Sequence, residues 1–202
     1  MAAVRIKAGK LTRIRAGYQS RKAVRHDPGG SHALLQLRDF DDERREIAVE
    51  RMARIVPGSI AKEQVLRDGD VVFLAKGARN FAFVPTGLPE PALVASYFFI
   101  LRPCERIEAG YLAWYLNLES TRRLLSRYVG QGTHMPVVRR EVLENLAVPV
   151  PPMTTQRGII ALAKLADEQG RLLGELAEKR RLLATGVCMR AAEDATGEQG
   201  DR

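Results

Sequence analysis

At 202 residues the chain holds one domain with an appendage, or two small domains at most. A composition that is 46% hydrophobic and 28% charged excludes a fibrous or wholly disordered chain, and a domain of this size can bury a core without disulfide staples. The formal net charge of +8 favours a polyanionic partner, nucleic acid before an anionic membrane.

The elements follow in chain order. Residues 4–15 read as a short basic strand or extended arm. Residues 1–26 carry eight basic side chains (Arg5, Lys7, Lys10, Arg13, Arg15, Arg21, Lys22, Arg25) and no acid, and the beginning of the chain has no apolar signal-peptide region. Residues 16–31 form a loop with Gly17, Asp27, Pro28, Gly29 and Gly30 as its turn residues. A strand over 33–37, a charged connection over 39–47 and a strand over 52–56 follow. The turn Arg67-Asp68-Gly69-Asp70 leads into an apolar strand over 71–75, which is too short for a helix. Lys76 to Asn80 make a polar loop, 81–84 a strand, and 92–101 the most strand-like segment, closed by Arg102-Pro103. That same segment is the longest apolar run and is far too short to span a bilayer.

Residues 108–128 read as helical, with an apolar face of Tyr111, Leu112, Tyr115, Leu116 and Leu118 and with Ser120 as the cap of a second helix. The pattern places Trp114 and Tyr115 in the packing. A second basic stretch, 122–140, contains the tight polar loop Gly130-Gln131-Gly132-Thr133. A helical turn at 140–145 and a strand at 146–150 end at Pro151-Pro152. From Thr154 to Arg190 there is no proline. Leu162, Ala166, Gln169, Leu173, Leu176, Arg180, Leu183 and Val187 are spaced alternately by four and three, a heptad seam on a helix roughly 55 Å long. Such a helix calls for a partner helix, with Gln169 and Arg180 lowering stability and fixing register. Residues 191–202 are polar and are expected to be disordered.

Catalytic chemistry finds little support. The three histidines, His26, His32 and His134, lack metal-ligand spacing, and Asp39, Asp41, Asp42 and Glu43 read as a solvated charge run. No Walker loop or dinucleotide fingerprint occurs. Cys104 and Cys188 are far apart, which fits buried thiols in a reduced, cytoplasmic chain.

The order of these pieces resembles the specificity subunit of Type I restriction–modification systems. The resemblance runs from about Ile14 to Arg190. It rests on Asp68-Gly69-Asp70-Val71-Val72, the polar loop from Lys76 to Asn80, the strand from Ser96 to Leu101, the aromatic helix Tyr111-Leu112-Ala113-Trp114-Tyr115-Leu116, and the glycine loop with Pro136. Its most specific marker is the stretch from Leu143 to Pro152, an L-x-x-L-x-apolar-P-x-P-P pattern, followed by Gln156.

The resemblance implies an α+β fold: a mixed-sheet target-recognition domain over 1–152 with flanking helices, then one coiled-coil-type helix over 153–190. It implies a half-sized member with one recognition domain where typical members carry two. Its partners would be double-stranded DNA, methyltransferase subunits that bring their own S-adenosylmethionine, restriction subunits, and either a second copy or another half-subunit paired through the helix. This chain itself would hold no cofactor and no metal.

Base-edge contacts then fall to Gln19, Ser20, Arg79, Asn80, Gln131, Thr133 and His134, since amides and planar donors match base edges. Phosphate contacts fall to Arg13, Arg15, Arg21, Lys22, Arg25, Lys76, Arg122, Arg123 and Arg127. Two rival readings stay open: a stand-alone DNA-binding or scaffold protein, and a metal-dependent nuclease using His26 or Asp41.

Overall fold

A computed structural model of the chain describes residues 4–20, 23–40, 47–77, 80–128 and 136–197, with side chains described as far as 193. It divides into two units, Met1–Ile160 and Ala161–Arg202. In chain order the elements are β1 (Val4–Lys7), α1 (Ala8–Leu11), β2 (Thr12–Ala16), β3 (His32–Leu35), β4 (Ala53–Ile55), β5 (Val71–Leu74), β6 (Ala82–Phe83), β7 (Ala92–Val94), β8 (Phe98–Pro103), α2 (Ala109–Asn117), α3 (Glu119–Ser126), α4 (Arg140–Asn145), β9 (Ala147–Val150) and α5 (Met153–Gly197), with three short 3-10 turns between them.

A four-stranded antiparallel sheet of order β2-β8-β5-β6 organises the first unit. Side chains alternate across a strand, so each strand serves two faces. Val71, Phe73 and Leu101 join a core with Leu112, Leu116, Leu125 and Leu143 from α2, α3 and α4. Val72, Leu74, Phe98 and Ile100 join a second core with Leu35, Phe40 and Val94. Every residue of β5 is therefore buried, which is why 71–75 reads as an unbroken apolar run. Phe73 alone, fully buried, contributes about 1.5–3 kcal/mol. Around Phe40, the rings of Phe81 and Phe83 pack edge-on at 5.3 and 5.2 Å.

A smaller sheet of order β4-β3-β7 lies on this second core. β3 pairs antiparallel with β4 and parallel with β7, making the sheet mixed. Its far face, Leu34, Ala53, Ile55 and Leu93, packs against Tyr18, Val24, Ile60 and Val65. β1 pairs with β9 in a two-stranded sheet, where Pro149 is tolerated opposite Arg5 because a two-stranded ribbon has only edge strands.

The structure revises several expectations. The basic arm over 4–15 is two strands joined by the single turn α1, which buries Ala8 and Leu11 and moves the chain from one sheet to another. The apolar run over 92–101 is two strands in different sheets. They are separated at Ala95-Ser96-Tyr97, where the Phe98 amide donates back to the Ala95 carbonyl at 3.0 Å. Gly17 passes so close that a Cβ there would sit 2.3 Å from the Ala95 carbonyl oxygen. The 108–128 helix breaks at Leu118, whose extended backbone caps both halves, and Ser120 lies inside the first turn of α3. Cys104 and Cys188 are exposed: the first follows β8 in a turn, and the second lies on α5.

α5 starts within the first unit. Gln156 is fully buried, and Ile159 and Ile160 pack against the helical core. In the second unit the helix continues past Arg190 through residues 191–197, which composition had assigned to a disordered tail. Ala191, Ala192 and Ala195 are strong helix formers and account for the extension. Leu162, Leu173, Leu176, Leu183 and Val187 are all exposed, from 46% to 70%. Arg171 bonds Glu168 and Glu175, and Arg181 bonds Glu178. No helix among the described residues is long and apolar enough to cross a membrane.

Candidate nucleic-acid interface

Antiparallel pairing brings the end of β2, the start of β8, the end of β5 and the start of β6 to one end of the central sheet. Ala16 is opposite Phe99, Leu74 opposite Phe98, and Phe73 opposite Ala82. The loops leaving this end are tied to one another through backbone. Tyr18 donates to Val94 and Gly17 to Phe98. The amides of Ala75 and Lys76 both donate to the Tyr97 carbonyl, at 2.9 and 3.2 Å. Gly77 donates to Pro136 at 3.0 Å and Val138 to Ala75 at 2.9 Å, with a bridge between Lys76 and Val137. Loops that leave different strands thus form one rigid rim.

Beside this rim, residues 18–20 and 23–27, with Ile55, Val56, Gly58 and Ser59, line an open cleft of about 1210 Å³. Gln19 and Arg25 are exposed on its walls, and Ser20 is half-buried there. His26 shares the cleft, and its Nδ1 accepts the Arg54 amide at 3.2 Å. Three residues proposed from sequence for DNA contact are therefore brought together: an amide, a hydroxyl and a guanidinium. Lys76 holds its ammonium 5.6 Å from the centre of the Tyr97 ring, a cation–π contact at the surface. Asn80 is spent differently, since its Nδ2 donates to the Leu74 carbonyl at 2.9 Å and closes the loop after β5.

Other candidates lie elsewhere. Arg13 and Arg15 are exposed on β2, alternating with buried Thr12 and Ile14 on an edge of the sheet. Arg122 donates to the Asn117 side chain at 3.0 Å. Asn117 in turn clamps both backbone groups of Ala82, at 3.0 and 2.6 Å, so Arg122 belongs to an internal network. Arg123 pairs with Glu119 at 2.9 Å along α3, and Arg127 is exposed at that helix's end. Arg21, Lys22, Arg79, Gln131, Thr133 and His134 lie outside the described residues, as do Asp41, Asp42 and Glu43. Sequence reasoning missed Tyr97, which is 38% exposed at the tip of the rim. The signal was hidden inside an apolar run that looked like one strand.

The histidines and acids near the cleft hold the loop itself. Asp27 Oδ1 accepts the Gly29 amide at 2.9 Å, and His32 Nδ1 shares a hydrogen bond with the Ser31 hydroxyl at 2.9 Å. Among the described residues no group of His, Cys, Asp and Glu could hold a metal ion. At the opposite end of the central sheet, buried Asp70 receives Arg102 in a two-pronged bond, 2.8 and 2.7 Å. That bond raises the Arg102 guanidinium above its ordinary value. Asp70 also accepts the Arg67 amide, closing a turn in which Gly69 takes φ +80°. The Asp-Gly-Asp motif is thus a structural clasp, far from the rim.

The sequence matches no protein-family model. No curated protein matches it. Solved structures share its fold. One chain comes from work on the structural basis of complex assembly and conformational transition of the type I R-M system; it is 22% identical with a TM-score of 0.61, and the match covers 84% of this chain and 39% of that one. The HsdS subunit from Thermoanaerobacter tengcongensis is 20% identical with a TM-score of 0.60, over 82% of this chain and 37% of that one. The Type-I restriction-modification system S subunit from M. genitalium is 13% identical with a TM-score of 0.54, over 88% and 42%. The chain has the α+β fold found in these S subunits, with mixed sheets and a long helix, and it spans about two fifths of their length.

Proposed function

We propose that this chain is the DNA sequence-recognition subunit of a Type I-like restriction–modification system, and that it supplies no catalytic group of its own. One observation carries the reading. In a fold shared with S subunits, Gln19, Ser20 and Arg25 line one cleft in the loop that leaves β2, at the end of the central sheet where the loop carrying Lys76 leaves β5.

The division of labour follows from side-chain chemistry. Arg15, Arg25 and Lys76 neutralise phosphates and release counterions, which gives affinity with little sequence information. Gln19 offers a donor and an acceptor to an adenine edge, and Ser20 either role to any base. Arg79, with Gln131, Thr133 and His134, would extend the contact along the groove, while Asn80 holds the Arg79 loop closed. The exposed seam of α5 would dock methyltransferase subunits, which bring S-adenosylmethionine, and through them restriction subunits. The matched part, about two fifths of each S subunit, would read one half-site, and pairing with a second copy or another half-subunit would bring two half-sites together.

The test is co-expression with a candidate methyltransferase followed by methylome sequencing. A methylated bipartite motif should appear. It should move when the 76–80 loop or residues 131–134 are exchanged for those of a related chain. If no motif responds to either exchange, and the purified assembly ignores duplex DNA at low ionic strength, the reading fails.

A further inference from the structure

His26 is tied to the fold by one of its two ring nitrogens. Its Nδ1 accepts the Arg54 amide at 3.2 Å, so that nitrogen carries no proton. The ring then keeps its proton on Nε2, which makes Nε2–H a donor and nothing else. Nε2–H has no partner among the described residues.

The ring cannot easily exchange these roles, because its loop is pressed onto β4. The Asp27 amide donates to the Arg54 carbonyl at 2.9 Å, and Arg54 Nε donates to the Gly30 carbonyl at 2.9 Å. The Gly30 amide donates back to the Asp27 carbonyl at 2.8 Å. A Cβ on Gly30 would sit 2.5 Å from the Ile55 nitrogen, so only glycine lets the loop lie this close. Just past β4 stands Val56, 67% exposed, and it lines the same cleft as His26 and Gln19. The cleft thus offers a fixed donor, an apolar side chain and an amide.

We propose that this cleft selects thymine: His26 Nε2–H donates to thymine O4, and Val56 packs on the C5 methyl group. In the major groove guanine presents acceptors without a methyl, and cytosine presents a donor that would face the His26 donor. Adenine sets a donor beside its acceptor. Thymine is the base that joins an acceptor to a methyl, and its partner in the duplex is adenine, the edge that the Gln19 amide matches. The inference rests on the recognition reading above and adds which base the cleft reads and through which atoms.

The test is selection by the full chain from a duplex pool with a randomised segment, followed by anisotropy on the selected duplex and its variants. Asparagine places Oδ1 where His26 has Nδ1, so His26→Asn keeps an acceptor for the Arg54 amide and removes the donor at Nε2. It should bind scrambled duplex as the wild type does and lose about tenfold on the selected duplex, with the loss confined to one T·A pair. His26→Gln, whose amide reaches the Nε2 position, should recover part of that loss. Replacing the thymine by uracil deletes only the methyl group. It should cost the wild type about fourfold, and it should cost Val56→Ala nothing. Nitrogen–proton correlation spectra of the His26 ring, identified by its disappearance in His26→Asn, should place the proton on Nε2.

A proton found on Nδ1 would overturn the proposal. So would a His26-dependent position that is G·C, or a motif that His26→Asn reads unchanged. Equal weakening of every duplex by His26→Asn would overturn it too, since a base contact cannot act on scrambled DNA. Each of these results leaves recognition by the other loops standing. A chain that enriches no motif from the pool defeats the recognition reading, and this inference with it.

Discussion

The side-chain carbonyl of Gln156 accepts the backbone amide of Glu108 at 2.9 Å, tying the first turns of α5 to the residue that caps α2. The same side chain donates to the carbonyls of Arg106, at 3.1 Å, and Pro151, at 2.9 Å. It is wholly buried and every polar atom on it is used. Gln156→Ala removes one acceptor and two donors at once and leaves three backbone groups unsatisfied. It should cost about 2–3 kcal/mol, seen as a lower denaturant midpoint with an unchanged slope. Gln156→Glu should do worse, because a carboxylate cannot donate to the two carbonyls.

Asp70 and Arg102 form the second clasp. Asp70 is buried while Arg102 keeps 22% of its side chain exposed. Arg102 also donates to the Val65 carbonyl at 3.1 Å, so the pair links the turn before β5 to β8. Removing one partner strands the other. Asp70→Leu or Arg102→Met alone should each cost about 3–5 kcal/mol, and the double variant clearly less than the sum. Chemical denaturation of the four proteins measures this. Strict additivity would show that the pair is not coupled.

Much of the fold could be read from sequence because its signals are local. The strand at 71–74, the helix over 140–145 and the proline stop at 151–152 each depend on nearby residues. What could not be read depends on partners distant in sequence. Nothing within Ala95-Ser96-Tyr97 announces a change of sheet; the break follows from Gly17 and Leu35 bonding to the backbone of residues 95 and 98. The same holds at the candidate interface. Gln19, Ser20 and Arg25 were legible as loop residues of the right chemistry, but their shared cleft is completed by Ile55 and Ser59, thirty or more positions away. Asn80 and Arg122 look alike in sequence to free contact residues, and only the structure shows them bonded to Leu74 and Asn117.

Asp39 gives a pH-dependent prediction. It is fully buried, and that burial raises its carboxyl above the ordinary 3.8, against the lowering effect of the Gln36 amide and the nearby Arg38 and Arg51. A carboxyl whose folded value is raised binds its proton more readily in the folded chain. Its charged form therefore destabilises the fold near neutrality, and this penalty fades as pH falls through the raised value toward 3.8. Asp39→Asn keeps an acceptor for the Gln36 amide, now bonded at 2.7 Å, and removes the charge. The variant should melt at or above the wild-type temperature at neutral pH, with the gap closing in acid. Thermal melts at stepped pH check this; a gap that widens in acid would refute the burial argument.

Salt dependence separates the two kinds of DNA contact assigned to the cleft. Arg25 is exposed beside Gln19, so both can reach the same duplex, but they answer differently to ionic strength. Arg25→Ala removes one phosphate neutraliser. The slope of log affinity against log salt should fall in magnitude by about 0.9, and affinity should drop alike on cognate and scrambled DNA. Gln19→Ala removes a base-edge contact. Its slope should stay as in the wild type, and it should cost about 1–3 kcal/mol on the preferred motif and almost nothing on scrambled DNA. Fluorescence anisotropy of the assembled complex across a salt series measures both. If Gln19→Ala weakens every duplex equally, Gln19 touches phosphate or none of the DNA, and sequence reading belongs to the other loops of the rim.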